Sequence, residues 1–86
     1  MPHLLATILG IKPDIIKEVL ENDAPFHAEH GMYLEHLWQN ADVDSEVLFL
    51  FKIDEVEKTR LLIDRLHSNA LKADPSANLP IMKYLM

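Results

Sequence analysis

The sequence predicts an α+β domain of order βαββαβ, a four-stranded antiparallel sheet with two helices on one face. Three observations predict it. Four short apolar runs alternate with two longer stretches of helical period. Gly, Pro or clusters of Asp, Asn and Ser punctuate their boundaries. The chain, at 86 residues, is long enough for one core and too short for two, so residues 1–86 form a single domain. Right-handed crossovers in each βαβ half then give the four-stranded sheet as the natural solution.

The elements follow in order. His3-Leu4-Leu5-Ala6-Thr7-Ile8-Leu9 is an apolar run of strand length, stopped by Gly10. Pro13 sits in the first turn of a helix, where its missing N–H costs nothing. Ile15, Ile16, Val19, Leu20 and Phe26 repeat on one side of that helix; Pro25 predicts a kink or a break, and Gly31 a C-terminal cap. Met32 to Asn40 and Glu46 to Ile53 read as two strands of a hairpin around the acidic turn Ala41 to Ser45. That turn lacks the glycine and the length of a calcium loop, so it reads as solvated. Asp54 is the expected N-cap of a second helix, whose stripe is Val56, Thr59, Ile63, Leu66, His67 and Ala70. Asp74 to Asn78 ends it, and Ile81 to Leu85 is the last strand. Val47-Leu48-Phe49-Leu50-Phe51 is apolar on both parities, so the third strand asks for cover on both faces. The helices supply one cover, and a second copy of the chain is the nearest candidate for the other.

Composition narrows the function. A net charge of −6 opposes non-specific nucleic-acid binding, which needs clustered cations. The absence of cysteine removes disulfides, thiolate metal sites and a cysteine nucleophile. No apolar run nears the ~20 residues of a membrane span, and the first nine residues lack the Lys or Arg of a signal peptide. A cytoplasmic homodimer with no membrane or nucleic-acid partner is the expectation. With only Gly10 and Gly31, no glycine-rich phosphate loop forms, and Ser45, Ser68 and Ser76 have no paired base in sequence context.

Two stretches carry a family resemblance: Leu20-Glu21-Asn22-Asp23-Ala24-Pro25-Phe26-His27-Ala28-Glu29-His30-Gly31, and the hairpin Gln39 to Phe51 leading into Asp54-Glu55-Val56-Glu57-Lys58-Thr59. Together they resemble the dimeric α/β-barrel superfamily that includes antibiotic-biosynthesis monooxygenase-like proteins. The resemblance spans nearly the whole chain. It implies a ferredoxin-like unit pairing sheet to sheet into a barrel, and activities ranging from cofactor-independent monooxygenases to cyclases. The haem-degrading branch has an Asn in the first strand and a Trp and a His in the second helix. Here Thr7 stands in about the place of the Asn, His67 is the one His of that helix, and no Trp lies between Glu55 and Lys72. Haem chemistry is not implied, and no cofactor is expected.

Alternation places His3, Leu5 and Thr7 on the face of the first strand that would line a barrel, and leaves open which parity of the second faces inward. His36 with Trp38 is either a proton-accepting imidazole beside an aromatic platform or ordinary packing with a polar edge residue. Thr7 or Tyr84 would orient a polar group of a bound molecule. His67 is either a buried neutral side chain or a cleft residue. Glu35 is a base if desolvated, or a charge that discourages wrong strand pairing. Asp23, His27 and His30 share one side of the first helix, as metal ligands would, or as imidazoles suited to a helix C-terminus. The functional expectation is a barrel cleft binding a hydrophobic, planar small molecule, with catalysis of the monooxygenase or cyclase kind within its scope. The alternative is a non-catalytic dimeric accessory or regulatory module acting through a protein partner.

Overall fold

The computed structural model describes all 86 residues. Its elements are β1 (His3–Leu9), α1 (Pro13–Glu29), β2 (Met32–Gln39), β3 (Glu46–Ile53), α2 (Val56–Ala73) and β4 (Ile81–Leu85). The strands form one sheet in the order β2-β3-β1-β4, with every neighbouring pair antiparallel. The crossover through α1 passes over β3 and the crossover through α2 passes over β1, so two βαβ units interleave. This is the ferredoxin-like arrangement.

Alternation along the two central strands decides where the core sits. Leu4, Ala6 and Ile8 of β1 and Val47, Phe49, Phe51 and Ile53 of β3 are buried together. Ile16 and Leu20 of α1 and Leu62 and Ile63 of α2 close over them. Each of these side chains other than Ala6 contributes about 1.5–3 kcal/mol by leaving water. The buried face of α2 consists of Thr59, Leu62 and Ile63, so it is turned toward Leu62 relative to the stripe read from the sequence. Leu66, His67 and Ala70 are half-buried at its margin.

Of the two outcomes the sequence allows at Pro25, a kink or a division, the division does not occur: α1 runs from Pro13 to Glu29. Pro25 removes the N–H that would reach the carbonyl of Glu21, and both residues are exposed, so water can take that acceptor. Asp54 does not cap α2. The cap position is Glu55, without a side-chain hydrogen bond, and the backbone N–H of Asp54 instead donates to the carbonyl of Gly31 at 3.0 Å. Gly31 does end α1, in the left-handed region at φ +71°, with its N–H on the carbonyl of Ala28. A Cβ at residue 31 would come within 2.5 Å of Asp54 Oδ2, so the helix end and the β3–α2 junction fit each other only with glycine there.

β2 ends one residue earlier than its apolar run suggests, because Asn40 organises the following turn. Its Oδ1 accepts from the N–H of Asp42 at 2.8 Å and of Val43 at 3.2 Å, and its Nδ2 donates to Glu46. No helix is long and apolar enough to cross a membrane.

Candidate functional site

The sheet face turned away from the helices gathers Thr7, His36 and Trp38 from among the residues singled out in the sequence. Pairing register assembles that face in rows. Trp38, Leu48, Thr7 and Ile81 form one; His36, Leu50, Leu5 and Lys83 the next; Tyr33, Lys52, His3 and Leu85 the third. No element of the chain packs over them. Trp38 is 47% exposed and Ile81 67%, whereas the opposite faces of β1 and β3 are closed.

A bulge between Leu34 and His36 settles the parity of β2. Strict alternation would put Leu34 with His36 and Trp38. The extra residue, Glu35, resets the phase, so Tyr33, His36 and Trp38 share the open face while Leu34 and Leu37 lie opposite Phe51 and Phe49.

The His36 and Trp38 rings stack with centroids 5.0 Å apart and planes inclined by 18°. Being two positions apart on one strand, they stand side by side on the pleat. Thr7 lies in the row of Trp38 with Leu48 between them, two strand spacings or roughly 10 Å away. At the far end of the face His3 Nε2 reaches across β3 to Glu35 Oε1 at 2.9 Å, and His3 Nδ1 donates to the carbonyl of Met1 at 3.0 Å. Glu35 is therefore engaged by the His3 imidazole across the sheet and does not stand as a free base.

Tyr84 is on the other side of the sheet. It pairs with Leu4 and packs against the core beneath α2, with the Arg60 guanidinium 4.4 Å from its ring centre. Its hydroxyl is shut away from solvent without a hydrogen-bond partner. Burial, aided by Asp64, raises its pKa above the ordinary tyrosine value, against the pull of Arg60. Tyr84 thus cannot act together with Thr7 or His36. His67 stands on α2 and joins neither group.

The Asp23, His27 and His30 side chains separate. His27 turns inward, edge-on to Phe51 at 5.0 Å, while His30 lies against Phe26 at 4.4 Å and donates to the Phe26 carbonyl. No group of three His, Asp or Glu side chains is close enough to hold a metal ion. Burial lowers the pKa of His27, Asp23 raises it by a smaller amount, and His30 adds to the lowering. Beside His27 a cleft of about 310 Å³ opens between α1 and β2. Sequence reading missed it. The small residues Ala24 and Ala28, one turn apart, are its trace.

No family model, curated protein or solved structure matches the chain. The ferredoxin-like fold therefore rests on strand order and helix placement, and any function on the geometry of these two regions.

Proposed function

We propose that the protein works as a homodimer, joined through the open sheet face, that binds a hydrophobic planar small molecule against Trp38 and His36. The observation that carries this reading is an uncovered apolar sheet face with a stacked imidazole–indole pair at its edge. By strand spacing and rise the face measures on the order of 400 Å² in plan. Its apolar centre, Leu5, Leu48 and Leu50, is flanked by charged and polar side chains, the pattern of an interaction surface with a polar rim. Its charges balance: Lys52 and Lys83 offset Glu35 and Glu46, so the net −6 of the chain resides on the helices and loops. Two copies therefore repel each other least with these faces together. The resemblance to antibiotic-biosynthesis monooxygenase-like barrels, read from the sequence, favours the same pairing, and the proposal includes a cytoplasmic setting.

In this reading Trp38 supplies the platform, His36 accepts a proton from the bound molecule, and Thr7 hydrogen-bonds a polar group on it. Native mass spectrometry tests the assembly. A mass of two chains is expected, and Leu50→Arg should yield one chain; a wild-type monomer at micromolar concentration sinks the reading. Trp38 is the one tryptophan, so its fluorescence reports ligand directly. Quenching by 5-hydroxy-1,4-naphthoquinone, whose phenolic O–H can meet the imidazole, should saturate in the wild type and weaken at least fivefold in His36→Ala. Equal affinity in the two proteins removes His36 from the site.

A further inference from the structure

The cleft between α1 and β2 lies on the opposite side of β2 from the Trp38–His36 pair and is independent of it. Leu20, Ala24 and Ala28 of α1 and Met32 and Leu34 of β2 make its walls, which are almost wholly apolar. Two features give it room. Ala24 and Ala28 leave a shallow trough along one flank of the helix. The β2 bulge follows Leu34, which stays 42% exposed on an edge strand instead of closing against α1. Tyr33 borders the cleft from β2, whose open face carries its side chain, and the polar side chains of the lining are His27 and Glu21. His27 is half-buried, its ring lies edge-on to Phe51, and its nitrogens reach solvent without a protein hydrogen-bond partner. An imidazole in the lining of an apolar cleft whose nitrogens are met only by water is free to hydrogen-bond a ligand that displaces that water.

We propose that this cleft binds a neutral, largely apolar small molecule of about ten non-hydrogen atoms through one hydrogen bond to the His27 imidazole. The size follows from the volume of about 310 Å³, at the lower end of small-molecule sites. The polarity follows from the walls, which offer the body of the ligand nothing but apolar contact. Neutrality follows from the electrostatics. The Glu21 carboxylate in the lining, and Asp23 beside His27, repel an anion. Burial favours the uncharged imidazole, which offers one donor and one acceptor and suits a hydroxyl. Aromatic and alicyclic alcohols are the class that fits.

The test uses 2-naphthol, with naphthalene as the ligand lacking a hydroxyl and 2-naphthoate as the anion. Each is titrated into the ¹⁵N-labelled protein at pH 7.5 and followed by backbone and imidazole resonances. For 2-naphthol, saturable shifts are expected at Leu20, Ala24, Ala28 and Met32, together with movement of a His27 ring nitrogen. His27→Phe should weaken 2-naphthol about five- to tenfold, the worth of one hydrogen bond, and leave naphthalene within twofold. His27→Gln should recover part of the loss. Ala24→Phe, made at an exposed helix position, should fill the cleft and abolish the shifts while the far-ultraviolet spectrum stays unchanged. Shifts confined to Leu5, Leu50 and Trp38 would place the ligand on the sheet face and overturn the cleft site while leaving the sheet-face reading intact. No shifts at 2 mM ligand, or 2-naphthoate binding as tightly as 2-naphthol, would also overturn it.

Discussion

The two faces of β3 differ by one step of the pleat and by everything that surrounds them. On one side Val47, Phe49, Phe51 and Ile53 are buried beneath two helices; on the other Leu48 and Leu50 are half-buried by their neighbours in the sheet alone. In the middle of the strand residue type hardly separates the two sets, since Leu and Phe are comparably apolar; only at the ends does the open face turn charged, with Glu46 and Lys52. What separates them is the supply of helix. Both crossovers lie on one side, so a single chain of this topology can close only one face of its sheet. The first face provides the stability of the fold. The second is where an external partner or ligand has something to gain.

The comparison breaks most sharply with paired truncations. Phe51→Ala should cost about 3–5 kcal/mol in urea unfolding, because it empties a site that is 2% exposed. Leu50→Ala should cost only about 1 kcal/mol in a lone chain. A Leu50→Ala loss that matches Phe51→Ala, and shrinks when the protein is diluted, would reveal a second copy covering the open face.

The next effect belongs to the junction that holds the covered face in register. Gly31→Ala should lose about 1–3 kcal/mol, from positive φ together with the encounter with Asp54. In Gly31→Ala/Asp54→Ala the contact part should return and the backbone part should not. A double variant as unstable as the single one would show that the contact contributes nothing.

His27 links the covered face to pH. Its pKa is lower folded than the ordinary 6.5, so below 6.5 the unfolded chain binds more protons and stability falls with pH. Above 6.5 this contribution is flat. The melting temperature of the wild type should therefore drop more than that of His27→Gln as the pH falls from 7 toward the lowered pKa of His27. Parallel profiles would remove the effect of burial at this residue.

The smallest effect concerns the edge of the sheet at β4. Arg60→Ala should cost about 0.5–1 kcal/mol through the lost contact with the Tyr84 ring. Ultraviolet titration should show Tyr84 ionising at still higher pH, because Arg60 is the one group pulling its pKa down against burial, Asp64 and Glu57.

Part of the candidate site is legible in the residues themselves. His36 and Trp38 stand out as a pair, and the pair forms stacked rings on the open face. Alternation alone allows Tyr84 to share a face with Thr7; register puts Tyr84 opposite Leu4, beneath α2. The parity of β2 is not readable because a bulge spends one residue without turning the strand over, and hydrophobicity alone does not mark that residue. The α1–β2 cleft is hidden for a related reason. Small residues on a helix flank read as neutral until an edge strand is seen to stand off from them.

By itself the sequence determined the order of elements, the central strands and the apolar middle of both faces of β3, because these depend on local period and turn chemistry. Tertiary structure alone decided which face stays open, which side of the sheet holds Tyr84, and how His27 parts from His30. It also decided that α1 passes through Pro25 and that Asp54 serves Gly31 in place of the helix it precedes. Those outcomes depend on strand register and on contacts between residues distant in the chain, about which a local pattern carries no information.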